Sequence, residues 1–184
     1  SLDEERTLRQ RLALNKSFLV CAGGSDSRKN LHRLIQAYAL LSGSLRQTYQ
    51  LLLVGKMPEG DIRALQATAK SAGLSKNELV FAGYVTDEDL VRLFNLCKLF
   101  VFPSWHEGFG LPALEAMSCG APVIGANTSS LPEVIGREDA LFDPFSQEAI
   151  AEKIAQVLGS EDFREDLSRY ALKQSQLFSW DESG

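Results

Sequence analysis

Residues 103–120 read PSWHEGFGLPALEAMSCG, directly after the unbroken apolar run Leu99-Phe100-Val101-Phe102. An apolar run of that length bounded by Pro103 predicts a buried strand, so residues 104–110 form a loop at its carboxyl end. Pro112 suits the first turn of a helix, where its missing N–H costs nothing, and Gly120-Ala121-Pro122 stops that helix. The unit is strand, glycine-rich loop, helix. Gly108 and Gly110 let the backbone approach a ligand closely, and the first N–H groups of the helix, with its dipole, make an anion site there.

Two carboxylates frame that loop. Glu107 precedes the glycines and Glu115 lies about one turn inside the helix, on the side that looks back toward them. A bound diphosphate would repel both. They suit hydrogen-bond acceptors for hydroxyls on either side of it, a sugar at one end and a ribose at the other. Read singly, each is also an ordinary exposed glutamate.

Outward from this stretch, strands are expected at 17–22, 50–54, 78–82, 99–102, 122–125 and, at an edge, 140–142. Helices are expected at 2–14, from Asn30 as cap to about Ser42, at 61–72, from Thr86 to Cys97 with Asp89 giving a capping-box-like start, across 112–119, from Ser146 or Asp143 as cap to Leu158, and over 162–178, with a short helical turn opened by residues 129–133. Strands alternating with helices of this length predict an α/β class, a Rossmann-like, doubly wound parallel sheet with helices on both faces and strand order 3-2-1-4-5-6. Ligands of such a sheet sit beyond the carboxyl ends of the strands, near the switch between strands one and four. The loops at those ends are 23–29, 55–56, 83–85 and 104–110, so the glycine-rich segments share one edge. Residues 1–16 read as a leading helix or linker, 17–178 as the domain, and 179–184 as the start of a tail leaving it.

The 184 residues, 45% hydrophobic and 23% charged, are ordinary for one globular domain. A net charge of -5 argues against a general nucleic-acid binder but not against a small anionic ligand. No apolar run approaches the ~20 residues of a membrane span. Cys21, Cys97 and Cys119 lack C-x-x-C spacing and read as reduced residues of a cytosolic protein. No G-x-G-x-x-G follows the first strand, so NAD is not expected.

Glu107 and Glu115, with Gly108-Phe109-Gly110-Leu111-Pro112 between them, resemble the E-x7-E signature of retaining GT-B glycosyltransferases of family 4, the "glycosyltransferase group 1". The longer string PSWHEGFGLPALEAMSCGAPVI resembles that family's form as well. GGSDSRKNL after the first strand resembles its G-x5-K-N element, and Gly83-Tyr84-Val85 its G-x-V turn. The resemblance implies that Glu107 contacts the donor sugar and that Phe109, Gly110 and Leu111 hold the diphosphate or the sugar through their backbone. Lys29 and Arg28 would grip the donor phosphates beside Gly23, Glu115 would bind the ribose, and Gly83, Tyr84 and Val85 would meet the nucleobase. Glu107 and Lys29 are then the catalytic candidates. An arginine that some members carry directly after the glycine is replaced here by Gly24.

The resemblance covers residues 17–178 and implies the donor-binding C-terminal half of a two-domain enzyme. Its substrate would be a nucleotide-diphosphate sugar, with no cofactor and no metal. Its partners would be its own N-terminal acceptor-binding half and a glycan or lipid-linked acceptor, at a cytoplasmic location extending to the cytoplasmic membrane face. GGSDSRKN and PSWHEGFGLP lean toward GDP-mannose. The D-x-D of residues 87–89 reads as helix capping, Lys56 as solvent-facing, Glu133 as structural, and Trp105 as packing under the loop. His106 is either a neighbour of the sugar or a partly exposed structural residue. The competing reading is a non-catalytic nucleotide-binding or scaffolding module on the same fold.

Overall fold

The computed structural model describes residues 1–178, so the expected tail at 179–184 lies outside the described residues. Six parallel strands form one sheet in the order β3-β2-β1-β4-β5-β6: β1 (Ser17–Ala22), β2 (Tyr49–Val54), β3 (Leu79–Gly83), β4 (Leu99–Phe102), β5 (Val123–Ala126) and β6 (Leu141–Phe142). This is the doubly wound sheet with the expected strand order. β1 pairs with β2 from Ser17↔Tyr49 to Ala22↔Val54, and with β4 at Leu19↔Leu99 and Val20↔Phe100.

The helices are α1 (Leu2–Leu12), α2 (Leu31–Ala39), α3 (Gly43–Thr48), α4 (Glu59–Ser71), α5 (Asp87–Leu96), α6 (Leu111–Ser118), α7 (Leu131–Ile135), α8 (Gln147–Leu158) and α9 (Glu161–Gln176). Right-handed crossovers require the helices to change faces where the chain reverses direction across the sheet, between β3 and β4. Accordingly α2 packs between α4 and α8, while α6 packs against α5, α7 and α9. The inner strands are buried on both sides, which is why β4 and residues 18–22 of β1 and 51–54 of β2 read as continuous apolar runs. Phe18, Phe94, Phe100 and Phe102 are fully enclosed, and Phe94 meets Phe100 edge to face at 5.4 Å.

Several local expectations are corrected. Asn30 precedes α2 but does not cap it: it is left-handed (φ 64°), and its buried Nδ2 donates to the carbonyls of Pro103 (3.0 Å) and Pro144 (2.7 Å). α2 ends at Ala39, short of Ser42, because Ser42 starts α3 by accepting from the Leu45 N–H. Thr86 does cap α5 through the Asp89 N–H, yet Asp89 closes no capping box. Its carboxylate faces Arg11 (2.5 Å) and Arg92 (2.9 Å), and the Arg11 bond above all holds that carboxyl below its usual range. The Arg11 link, with buried Leu8 and Leu12, docks α1 onto the domain. Among the described residues no helix is long and apolar enough to cross a membrane.

Candidate functional site

At the switch point the β1–α2 connection, residues 23–30, and the β4–α6 connection, residues 103–110, leave neighbouring strands for helices on opposite faces. The two connections are stitched together. The Trp105 N–H donates to the Arg28 carbonyl (3.0 Å), and the wholly buried Ser104 hydroxyl lies 2.9 Å from the same oxygen. Asn30 adds its bond to Pro103.

Glu107 sits in this seam, 8% exposed. Its Oε2 accepts from Arg28 Nη1 (2.8 Å), Lys29 Nζ (2.9 Å) and Ser104 Oγ (2.7 Å). Arg28 Nη1 also reaches the His106 carbonyl (3.1 Å). From the β5–α7 loop, Ser129 and Ser130 hydroxyls donate to the Glu107 carbonyl at 2.7 and 3.2 Å, and the Glu107 N–H donates to Ser129 Oγ (3.2 Å). A carboxylate buried at this depth needs such partners. Two cations share one of its oxygens, so the three side chains carry a net charge of +1 at the mouth of the crevice. Lys29 is held further by the ring of Phe102, 5.4 Å away, and by close packing on Gly23, where an added Cβ would lie 3.3 Å from Lys29 Cε.

Two glycines are dictated by geometry. Gly55 (φ 134°) passes so close to β1 that a Cβ there would lie 1.9 Å from the Gly23 carbonyl oxygen. Gly110 (φ 81°) turns the chain into α6, and a Cβ would press on Leu131 Cδ2 at 3.0 Å. α6 then begins at Leu111 with Pro112 in its first turn, as expected, and no side chain caps it, so its first N–H groups are left open at this edge of the sheet.

The remaining candidates line the same edge. Phe109 is 48% exposed and stands edge-on to Phe178 at 6.0 Å, so the end of α9 meets the glycine loop. Leu111 is exposed at the start of α6. Glu115, one turn further, is exposed and among the described residues pairs with no cation; partial desolvation of its carboxyl and, second, the Asp87 carboxylate push its pKa up. Asp87 opens α5 one residue beyond Gly83-Tyr84-Val85, after the cap Thr86, so the ribose and nucleobase candidates lie near the same corner. Gly83 is left-handed and its carbonyl accepts from the Gly55 N–H; Val85 is half-buried, whereas Tyr84 is 76% exposed. Lys56 and His106 are exposed side chains, and His32 lies on α2 with Nδ1 2.7 Å from Thr68 Oγ1. Asp89, the last acid of the D-x-D, is taken up by arginines.

Trp105 packs, as expected, against another side chain. It is half-buried and stacks on Phe145 (5.8 Å, 23°). Sequence reasoning misses the contacts that Ser104, Ser129 and Asn30 make. Ser104 precedes the Trp-His-Glu stretch, but nothing local marks a serine that bonds a carboxylate three residues on.

The family model for glycosyl transferases group 1 matches residues 4–174. The serotype-specific mannosyltransferase WbdA of Escherichia coli is 45% identical over 180 residues, covering 98% of this chain and 22% of that protein. O-antigen chain mannosyltransferase B of Escherichia coli is 40% identical over 166 residues, 90% of this chain and 43% of that protein. The chain therefore spans less than half the length of these relatives. The structure of sucrose-phosphate synthase from Thermosynechococcus elongatus superimposes with a TM-score of 0.83 at 28% identity, over 96% of this chain and 45% of that one.

Proposed function

The chain belongs to the group 1 glycosyl transferases, and on that premise we propose that it is the donor-binding part of a nucleotide-sugar-dependent, retaining hexosyltransferase. The donor we favour is GDP-mannose, in line with the names of the mannosyltransferases that share 40–45% of its residues. One observation carries the reading: Arg28, Lys29 and the open end of α6 converge on one crevice, around a buried carboxylate that already engages both cations.

Transfer breaks the bond between the anomeric carbon and the diphosphate, and negative charge grows on the leaving phosphate oxygens. Fixed cations and backbone N–H groups stabilise that charge without reorganising, and this preorganisation lowers the barrier more than any other single effect in chemistry of this kind. Lys29 and Arg28 would take the phosphates, with the first turn of α6 closing the cradle. Gly23 leaves the room in which the Lys29 side chain lies. Glu107, released in part from its two cations, would orient the sugar and stabilise positive character at its ring. Glu115 would accept from the ribose hydroxyls and the 83–85 turn would lie against the base. No cofactor or metal enters this scheme. The acceptor, a glycan or lipid-linked glycan, would be presented by an N-terminal half, at the cytoplasmic side of a membrane.

The test is thermal stabilisation by GDP, UDP, ADP and dTDP, without metal, in the wild type and Lys29→Ala. A ligand at 100 times its Kd adds about 2.7 kcal/mol, or about 5–10 °C for a domain of this size. A shift with GDP that Lys29→Ala abolishes is expected. No shift with any nucleotide, in the full-length protein as well, would leave the scaffolding module as the reading.

A further inference from the structure

A second cleft, of about 560 Å³, opens on the far side of the β1–α2 connection. Its walls are Ser25 and Asp26 from that connection, His32 and Arg33 from α2, Asp61 from α4, and Trp105. The volume lies within the ~300–1,000 Å³ of small-molecule sites. Trp105 is the seam between the two clefts: its side chain lines this one, its N–H is bonded to Arg28, and Glu107 is two residues on. Arg28 spans both, with Nη1 on Glu107 and Nε 3.7 Å from Asp26.

Three features decide what the cleft takes. Trp105 gives the cleft an aromatic wall, backed by Phe145, which stacks on it from outside the cleft and has the Arg33 guanidinium 5.8 Å from its centroid. Beside it stand oxygen acceptors: the Asp61 carboxylate, bonded to Ser25 Oγ at 2.6 Å, and the Asp26 carboxylate, 75% exposed. Asp26 and Asp61 stand against Arg33 and the Arg28 guanidinium beside Asp26, so the cleft carries no excess positive charge, which disfavours a phosphate or another polyanion. Aromatic face plus hydroxyl acceptors without excess positive charge is the chemistry of a neutral sugar, whose C–H face stacks while its hydroxyls donate.

We propose that this cleft is a subsite for a neutral oligosaccharide, holding a stretch of the glycan that the neighbouring crevice extends. The inference rests on the hexosyltransferase reading for its biological role but not for its chemistry. A chain held at the shared wall stays beside the donor crevice between transfers, so longer acceptors are favoured over short ones.

The probe is a linear mannotetraose titrated into the full-length protein carrying ¹⁵N-labelled tryptophan, with the Trp105 indole signal, assigned from Trp105→Phe, as the readout. A saturable shift is expected, unmoved by inorganic pyrophosphate. Asp61→Asn and Phe145→Ala should each weaken the tetraose about tenfold while GDP-induced thermal stabilisation is retained. An indole signal that mannotetraose leaves unmoved, or an affinity that neither variant changes, overturns the proposal. Stabilisation by GDP without an indole shift keeps the donor reading and removes the subsite. An indole shift without any nucleotide effect keeps the sugar cleft and removes the transferase reading.

Discussion

Replacing Glu107 with glutamine should move stability and nucleotide affinity in opposite directions. In the free protein Glu107 Oε2 holds Arg28 and Lys29 at 2.8 and 2.9 Å, so this carboxylate occupies the cations that a diphosphate would use. Glutamine keeps the shape and one acceptor oxygen for Ser104 but removes the charge, raising the local sum from +1 to +2. A unit charge about 5 Å from a phosphate is worth about 3 kcal/mol at an effective dielectric of 20. Because Arg28 is 41% exposed, solvent screening reduces this to about 1–2 kcal/mol, or about tenfold tighter binding of free GDP. The same change weakens two charge-assisted hydrogen bonds, at a cost of about 1–2 kcal/mol and about 3–6 °C in the Tm of the unliganded protein. Calorimetric titration with GDP beside a thermal melt reads both quantities, while sugar transfer should be lost. A Glu107→Gln protein with the lowered Tm but unchanged or weaker GDP binding would refute the reasoning, since Arg28 and Lys29 would then not be the diphosphate's ligands.

Gly55→Ala should cost about 3 kcal/mol or more, since the new Cβ meets the Gly23 carbonyl at a backbone angle that side chains avoid; chemical denaturation should show it, and GDP stabilisation should shrink as the Gly23 turn is displaced. Glu115 holds its proton more tightly folded than unfolded, so its contribution is present below the ordinary value near 4.5 and is lost as pH rises through its folded value. Glu115→Gln should therefore melt slightly higher than wild type at pH 7, by about 1–2 °C, and no higher at pH 4, while binding GDP more weakly. Glu78 has the opposite sign. Burial alone would raise its pKa, but the Arg46 fork and two bonds from Ser75 outweigh it and hold the carboxyl low, so its contribution is present above 4.5 and lost as pH falls through the folded value. Glu78→Gln should lower Tm by about 4–8 °C at pH 7, a gap that closes as pH falls through the folded value.

The strands nearest the crevice are the most legible parts of the chain. β1 and β4 are apolar runs ended by Gly23 and by Pro103, and buried parallel strands advertise themselves in that way. The convergence of Arg28 and Lys29 on the 107–110 loop also follows from strand order alone. What pattern does not supply is contact between distant segments. Asn30 stands where a capping residue should, but two carbonyls more than seventy residues away claim its amide. Ser104 and Ser129 are small polar residues in loops until the fold brings Glu107 to them. Trp105 reads as a packing residue, but nothing near it in the sequence names its partner, Phe145, forty residues on.

The stitching between residues 23–30 and 103–110 bears on how such a site can change over generations or in the laboratory. Each segment is fixed in part by the other: the carbonyl of Arg28 anchors Trp105 and Ser104, and the oxygen of Glu107 in turn sets both basic side chains. Grafting one segment from another enzyme would import half of a lock whose tumblers were cut for a different barrel. Substitutions on the two sides should show strong epistasis, and transplants should succeed when the two segments travel together, with Ser129 and Ser130 as a third passenger.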